Sequence, residues 1–166
     1  CALIGAKVPE LGPEIRPTAF LHMAQQERTA VMIKLEEVQN YFMRYLRVGG
    51  FPELALASDD LMAQQIMRED VVDKVLKRDL PALYKIRSAT ELERIFLYLC
   101  NVSSEIVSFS AIANDLGGVS RPTVENYVNY LESANLIYQS WPVEMGGHKI
   151  LKAKPKIYIA DAAIRN

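Results

Sequence analysis

Two cysteines and two histidines in 166 residues leave little material for metal or thiol chemistry. Cys1 and Cys100 are far apart and no CxxC occurs, which excludes a disulfide framework and points to a reduced, cytosolic setting. His22 and His148 have no Cys, Asp or Glu at ligand spacing, so no metal site is expected. Both read as surface or loop residues. Neither a GxxxxGK[ST] loop nor a GxGxxG is present, so the chain lacks the usual phosphate cradles. Basic excess is missing too: 19 Lys and Arg face 20 Asp and Glu, a net charge of -1. That balance rules out a protein that coats nucleic acid indiscriminately, so any such contact must be a local patch. No apolar run approaches the ~18 residues of a membrane span, and no signal-peptide pattern is visible. Repeats, heptads and low-complexity tracts are also lacking. The chain opens on Cys1 rather than Met and closes directly after a strand-like run, so it reads as a piece of a longer protein.

What is present is helix-forming sequence. Half of the residues are hydrophobic, and a chain of this length buries roughly 70% of its unfolded surface without staples. Pro9, Pro13, Pro17, Gly5 and Gly12 make residues 1–23 an expected irregular stretch. From Leu35, the side chains of Leu35, Val38, Phe42 and Tyr45 fall on one helical face, with Glu36, Glu37 and Arg44 off it. Gly49-Gly50 and Pro52 stop that helix. Ser58-Asp59-Asp60 starts a second helix, expected to end or kink at Pro81, with Val72, Val75, Leu76 and Leu80 as its buried stripe. Overlapping capping boxes at Ser88 and Thr90 open a third helix, whose Leu92, Ile95, Phe96 and Leu99 share a face. Cys100 lies on its apolar side, as a structural thiol would.

Residues 110–116 make a short helix ended by Gly117-Gly118, and Ser120 caps a longer one that tolerates Pro122 in its first turn. Two strand-like runs follow, Ile137–Val143 and Lys156–Ala160. Helix, short helix, tight turn, helix, strand, turn, strand is the order of a winged helix-turn-helix. With Val124, Val128 and Leu131 inward, the opposite face is expected to present Ser120, Arg121, Thr123, Asn126 and Tyr127. Hydroxyls and helix N-terminal amides suit phosphates, whereas Arg and Asn read purine edges. The wing adds Lys149, Lys152, Lys154 and Lys156 within eight residues, a patch suited to a phosphate backbone. Glu125 and Glu132 on the same helix speak instead for a module that touches only protein. Catalytic residues are not found.

Several segments together resemble a known family. They are Tyr45 to Glu53 (YLRVGGFPE), Lys77 to Leu80 (KRDL), Val119 to Val124 (VSRPTV), then Tyr127, Tyr130, Leu131, Glu132 and Leu136 to Tyr138. Pro155 to Tyr158 and Asp161 to Asn166 complete the pattern. Residues 35–166 resemble the region that follows the ATPase core in a large family of prokaryotic AAA-type ATPases, a domain of unknown function containing a winged helix. Arg16 to Phe20 is similar to the end of that core. The resemblance implies that Gly50 and Pro52 match a Gly-x-Pro element whose proline touches the adenine or ribose of a bound nucleotide. A helix-stop turn explains the same residues. It also implies ATP and magnesium as cofactors of the parent protein, none in this piece, and in many members a nuclease-like domain downstream.

The expectation is therefore a mostly α chain: an irregular segment over 1–34, a helical lid-like subdomain over 35–87, and a winged helix with a small β-wing over 88–166. Its expected role is a DNA-binding and regulatory module, not catalytic by itself. The expected partners are double-stranded DNA, the protein's own ATPase core and a second copy, with no membrane. Two alternatives stay open: a protein-contacting module that transmits nucleotide state, and a part of a composite nuclease or ATPase site.

Overall fold

A computed structural model of the chain describes residues 17–143 and 153–165. Helix α1 (Pro17–His22) is short, and it forms inside the stretch that the prolines marked as irregular. Helix α2 (Gln25–Val48) starts ten residues before Leu35. The Glu27 carboxylate accepts from the Ala24 amide (3.3 Å) and places its charge at the positive end of the helix dipole. Gly49 ends α2 at φ 81°, its amide donating to the Tyr45 carbonyl (2.8 Å). Helix α3 (Pro52–Ala55) follows with Pro52 in its first turn, where a missing amide costs nothing.

Asp59 caps the next helix by accepting from the Met62 amide (2.8 Å). From there the backbone stays helical to Tyr84, through α4 (Asp60–Ile66), two π-helical segments (Met67–Asp73 and Val75–Asp79) and α5 (Leu80–Tyr84). Pro81 does not end it. A proline has no amide to contribute, and the turns before it already bond in the wider π pattern, so the helix passes through. It stops at Lys85, which takes a left-handed conformation (φ 50°).

Helix α6 (Ala89–Asn101) is capped by Ser88, whose hydroxyl accepts from the Glu91 amide (3.2 Å). Helices α7 (Phe109–Leu116) and α8 (Arg121–Ser133) follow. Strands β1 (Ile137–Ser140) and β2 (Lys156–Ile159) pair antiparallel with Ile137 opposite Ile159. Both are shorter than the apolar runs that announced them. The segment between α6 and α7 joins the same sheet edge: Ile106 bridges Lys156, and the Val107 amide donates to Pro155 (2.9 Å). A 3-10 turn (Ala162–Arg165) closes the described chain.

The chain is mostly α with a two-stranded antiparallel sheet. Its larger core gathers Leu92, Ile95, Leu99, Val124, Leu131 and Ile157, and Leu76 and Leu80 belong to it. Each such side chain contributes about 1.5–3 kcal/mol by leaving water. A smaller cluster joins Val48, Leu54, Ala63 and Met67 to Ala163 near the far end of the chain. Among the described residues no helix is long and apolar enough to cross a membrane.

Candidate functional site

The turn into α8 is set from α6. Arg94 donates to the Leu116 carbonyl at the end of α7 (2.8 Å), and the Tyr98 hydroxyl donates to Asp115 (3.0 Å). That hydrogen bond to a carboxylate also holds the Tyr98 phenol above its ordinary pKa. Gly117 and Gly118, at φ 60° and 77°, then reverse the chain in a region that side chains disfavour. The start of α8 is thereby fixed against the core.

Ser120 caps α8, accepting from the Thr123 amide (3.3 Å) and sharing a hydrogen bond with the Thr123 hydroxyl (2.8 Å). Both hydroxyls are thus engaged with the helix end itself. Arg121, Glu125 and Asn126 are exposed along the outer face. Tyr127 is not on that face. It is 6% exposed, and it packs in the core three residues after Val124, with its ring 6.2 Å from that of Tyr130. Positions i, i+3, i+4 and i+7 share a helical face, so Val124, Tyr127, Val128 and Leu131 form one stripe. Burial raises the Tyr127 phenol pKa, as desolvation disfavours the charged form. Glu132 is also turned inward to a partner: its carboxylate accepts from the backbone amide and the side chain of Gln139, both at 2.8 Å. Glu125 is the acid of α8 that stays on the outer face.

Across from α8, Lys154 is exposed just before β2, whereas Lys149 and Lys152 lie outside the described residues. Arg121, Glu125 and Lys154 line one cavity of about 410 Å³, together with Trp141. Arg121 and Lys154, one expected residue of the helix and one of the wing, therefore share a concavity, whose lining does not include Ser120, Thr123 or Asn126. Trp141 was not among the expected site residues. It is the chain's single tryptophan and is half exposed just past β1, a placement that could have marked it.

The glycine turn has a different neighbourhood. The Gly50 amide donates to Asp161 Oδ2 (2.8 Å), and Asp161 Oδ1 accepts from the Ala163 amide (2.9 Å). A side chain at Gly49 would begin 2.3 Å from Asp161 Oδ1. The Gly50 amide is thus committed to a tie across 111 residues, while the Pro52 ring stays exposed. Cys100 is buried at the core, which pushes its thiol up to about 11 and away from nucleophilic use. Among the described residues, no group of three His, Cys, Asp or Glu could hold a metal ion.

A family model described as a domain of unknown function (DUF8612) matches residues 39–166. The chain belongs to that family. This DUF8612 chain is similar to an uncharacterised protein of Methanocaldococcus jannaschii, 30% identical over 110 residues, which are 64% of this chain and 25% of the relative. It is also similar to an uncharacterised protein of Haemophilus influenzae, 25% identical over 156 residues, 92% of this chain and 38% of the relative. The matched segment thus spans about a quarter to two fifths of the curated relatives. No solved structure shows a significant match.

Proposed function

We propose that residues 88–166 form a winged helix-turn-helix that binds double-stranded DNA, as the DNA-binding and regulatory part of an AAA-type ATPase working in the cytoplasm. The observation that carries this reading is the shared cavity. Arg121 at the start of α8 and Lys154 beside β2 are 33 positions apart in sequence, yet they line the same concavity. A winged helix places its recognition helix in the major groove and its wing along the backbone, which requires cations on both elements to face one ligand. The pairing of Ile106 with Lys156 supports the reading, because it adds a third strand position between the first two helices of the motif. Ser120 and Thr123 cap the helix in this account, Tyr127 supports it from within, and Arg121 and Asn126 are the base-reading candidates.

ATP and magnesium belong, in this reading, to parts of the full-length protein beyond these 166 residues. The chain has no phosphate loop to hold them, so it hydrolyses no ATP by itself. A nucleotide contact through Pro52 is sterically open because the ring is exposed, while Gly50 has its amide occupied by Asp161.

A duplex titration across salt concentrations tests the reading. Arg121→Ala is expected to reduce discrimination between sequences by about 1–3 kcal/mol if the guanidinium reads a guanine. Lys154→Ala is expected to weaken all duplexes alike and to flatten the salt slope by about one unit. Failure to bind any duplex at low salt sinks the proposal. It would favour a second reading, a protein-contacting module that docks on the ATPase core, for which the exposed apolar face of α2 is the supporting observation.

A further inference from the structure

We infer that the cavity lined by Trp141, Arg121, Lys154 and Glu125 takes a single unpaired nucleotide, so that the chain prefers DNA with a single-stranded overhang to a blunt duplex. The inference rests on the DNA reading above and sharpens it. Its starting point is the mixture of chemistries in one concavity. An indole 49% exposed and two cations stand in the same lining. A ring face and a positive charge are the two things a nucleotide asks of a protein, one for its base and one for its phosphate.

A concavity of about 410 Å³ accommodates one nucleotide, while a duplex meets only its rim, where Arg121 and Lys154 stand. A base within a duplex is also stacked on both sides, so it has no free face to lay on an indole until it is unpaired. Glu125 narrows the ligand further. Its carboxylate opposes a bare phosphate but accepts hydrogen bonds from the exocyclic amino group of cytosine or adenine. Against the two cations it leaves the lining with a modest positive balance, matched to one phosphate and its base. The recognition helix would then engage the duplex while the cavity holds the first unpaired nucleotide beside it.

Because Trp141 is the chain's single tryptophan, its emission reports on this cavity alone. The test uses the 166-residue chain with three labelled DNAs of equal length: a blunt duplex, a duplex with a cytidine overhang, and a single strand. Anisotropy gives affinity and tryptophan emission gives occupancy of the cavity. The overhang duplex is expected to bind about tenfold more tightly than the blunt one at the same salt, with quenching of Trp141. Trp141→Ala is expected to abolish that preference and Trp141→Phe to keep most of it, with thermal melts verifying that both variants fold. Equal binding of blunt and overhang duplexes without quenching overturns the inference and leaves the duplex reading standing. Binding of no DNA overturns both. Quenching by polyglutamate and not by oligonucleotides overturns it as well and reassigns the cavity to an acidic peptide.

Discussion

Helices α2 and α6 both carry apolar side chains at helical spacing, and they use them in opposite ways. In α6, Leu92, Ile95, Phe96 and Leu99 are all buried, each 2% exposed or less. In α2, Leu35, Phe42 and Tyr45 remain 45%, 55% and 47% exposed, with Met32 and Tyr41 exposed beside them. The C-terminal end of α2 is the part that meets the body, with Val48 buried in the smaller core. Arg44 donates to the Ala57 carbonyl (2.9 Å), and Arg47 pairs with Asp60 (2.7 Å). Among the described residues α2 is thus held to the body at its C-terminal end, by Val48 in the smaller core and by these two arginines, while Leu35, Phe42 and Tyr45 stay outward. Periodicity tells that a face is built to be covered. It does not tell by what, and contiguous apolar surface of this kind is typical of contact sites.

The largest effect that tests this contrast is in α6. Leu99→Ala removes a fully buried side chain from the larger core, and chemical denaturation should show a loss of about 2–5 kcal/mol. A loss below ~1 kcal/mol would mean that the α6 core is far looser than its burial suggests. Next in size is the glycine turn that ends α2. Gly49→Ala must hold a side chain at φ 81° and ψ -171° against Asp161, with an expected cost of about 1–3 kcal/mol. Combining it with Asp161→Ala should cost less than the sum of the two single changes, because both act on one tie. Full additivity would show that the glycine turn does not depend on that carboxylate. The smallest effect belongs to α2: Phe42→Ala should alter stability by no more than ~0.5 kcal/mol in the same assay. If it costs as much as Leu99→Ala, the stripe is covered within this chain and the contrast fails.

Much of the helical layout could be read directly. Asp59, Ser88 and Ser120 cap helices where their side chains suggested, because a hydroxyl or carboxylate bonding to an amide three residues on is a local event. The site was legible only in pieces. Arg121 and Lys154 were found by type and position, but their approach to one cavity depends on how β2 pairs, which no local pattern encodes. Trp141 falls inside the strand-like run Ile137–Val143, which hides it, because the strand itself ends at Ser140. Tyr127 was assigned to the outer face because only Val124, Val128 and Leu131 were counted inward, although a stripe of four residues per two turns includes it.

The sequence alone determined the order from α6 to β2, three of the caps and the mostly α character, since each depends on interactions within a few residues of chain. Tertiary structure decided the rest. It carried the helix through Pro81, left the apolar stripe of α2 outward, and committed the Gly50 amide to Asp161. It also joined Arg121, Trp141 and Lys154 in one concavity. These outcomes depend on contacts between residues tens of positions apart, whose free energy is settled only when the whole core closes.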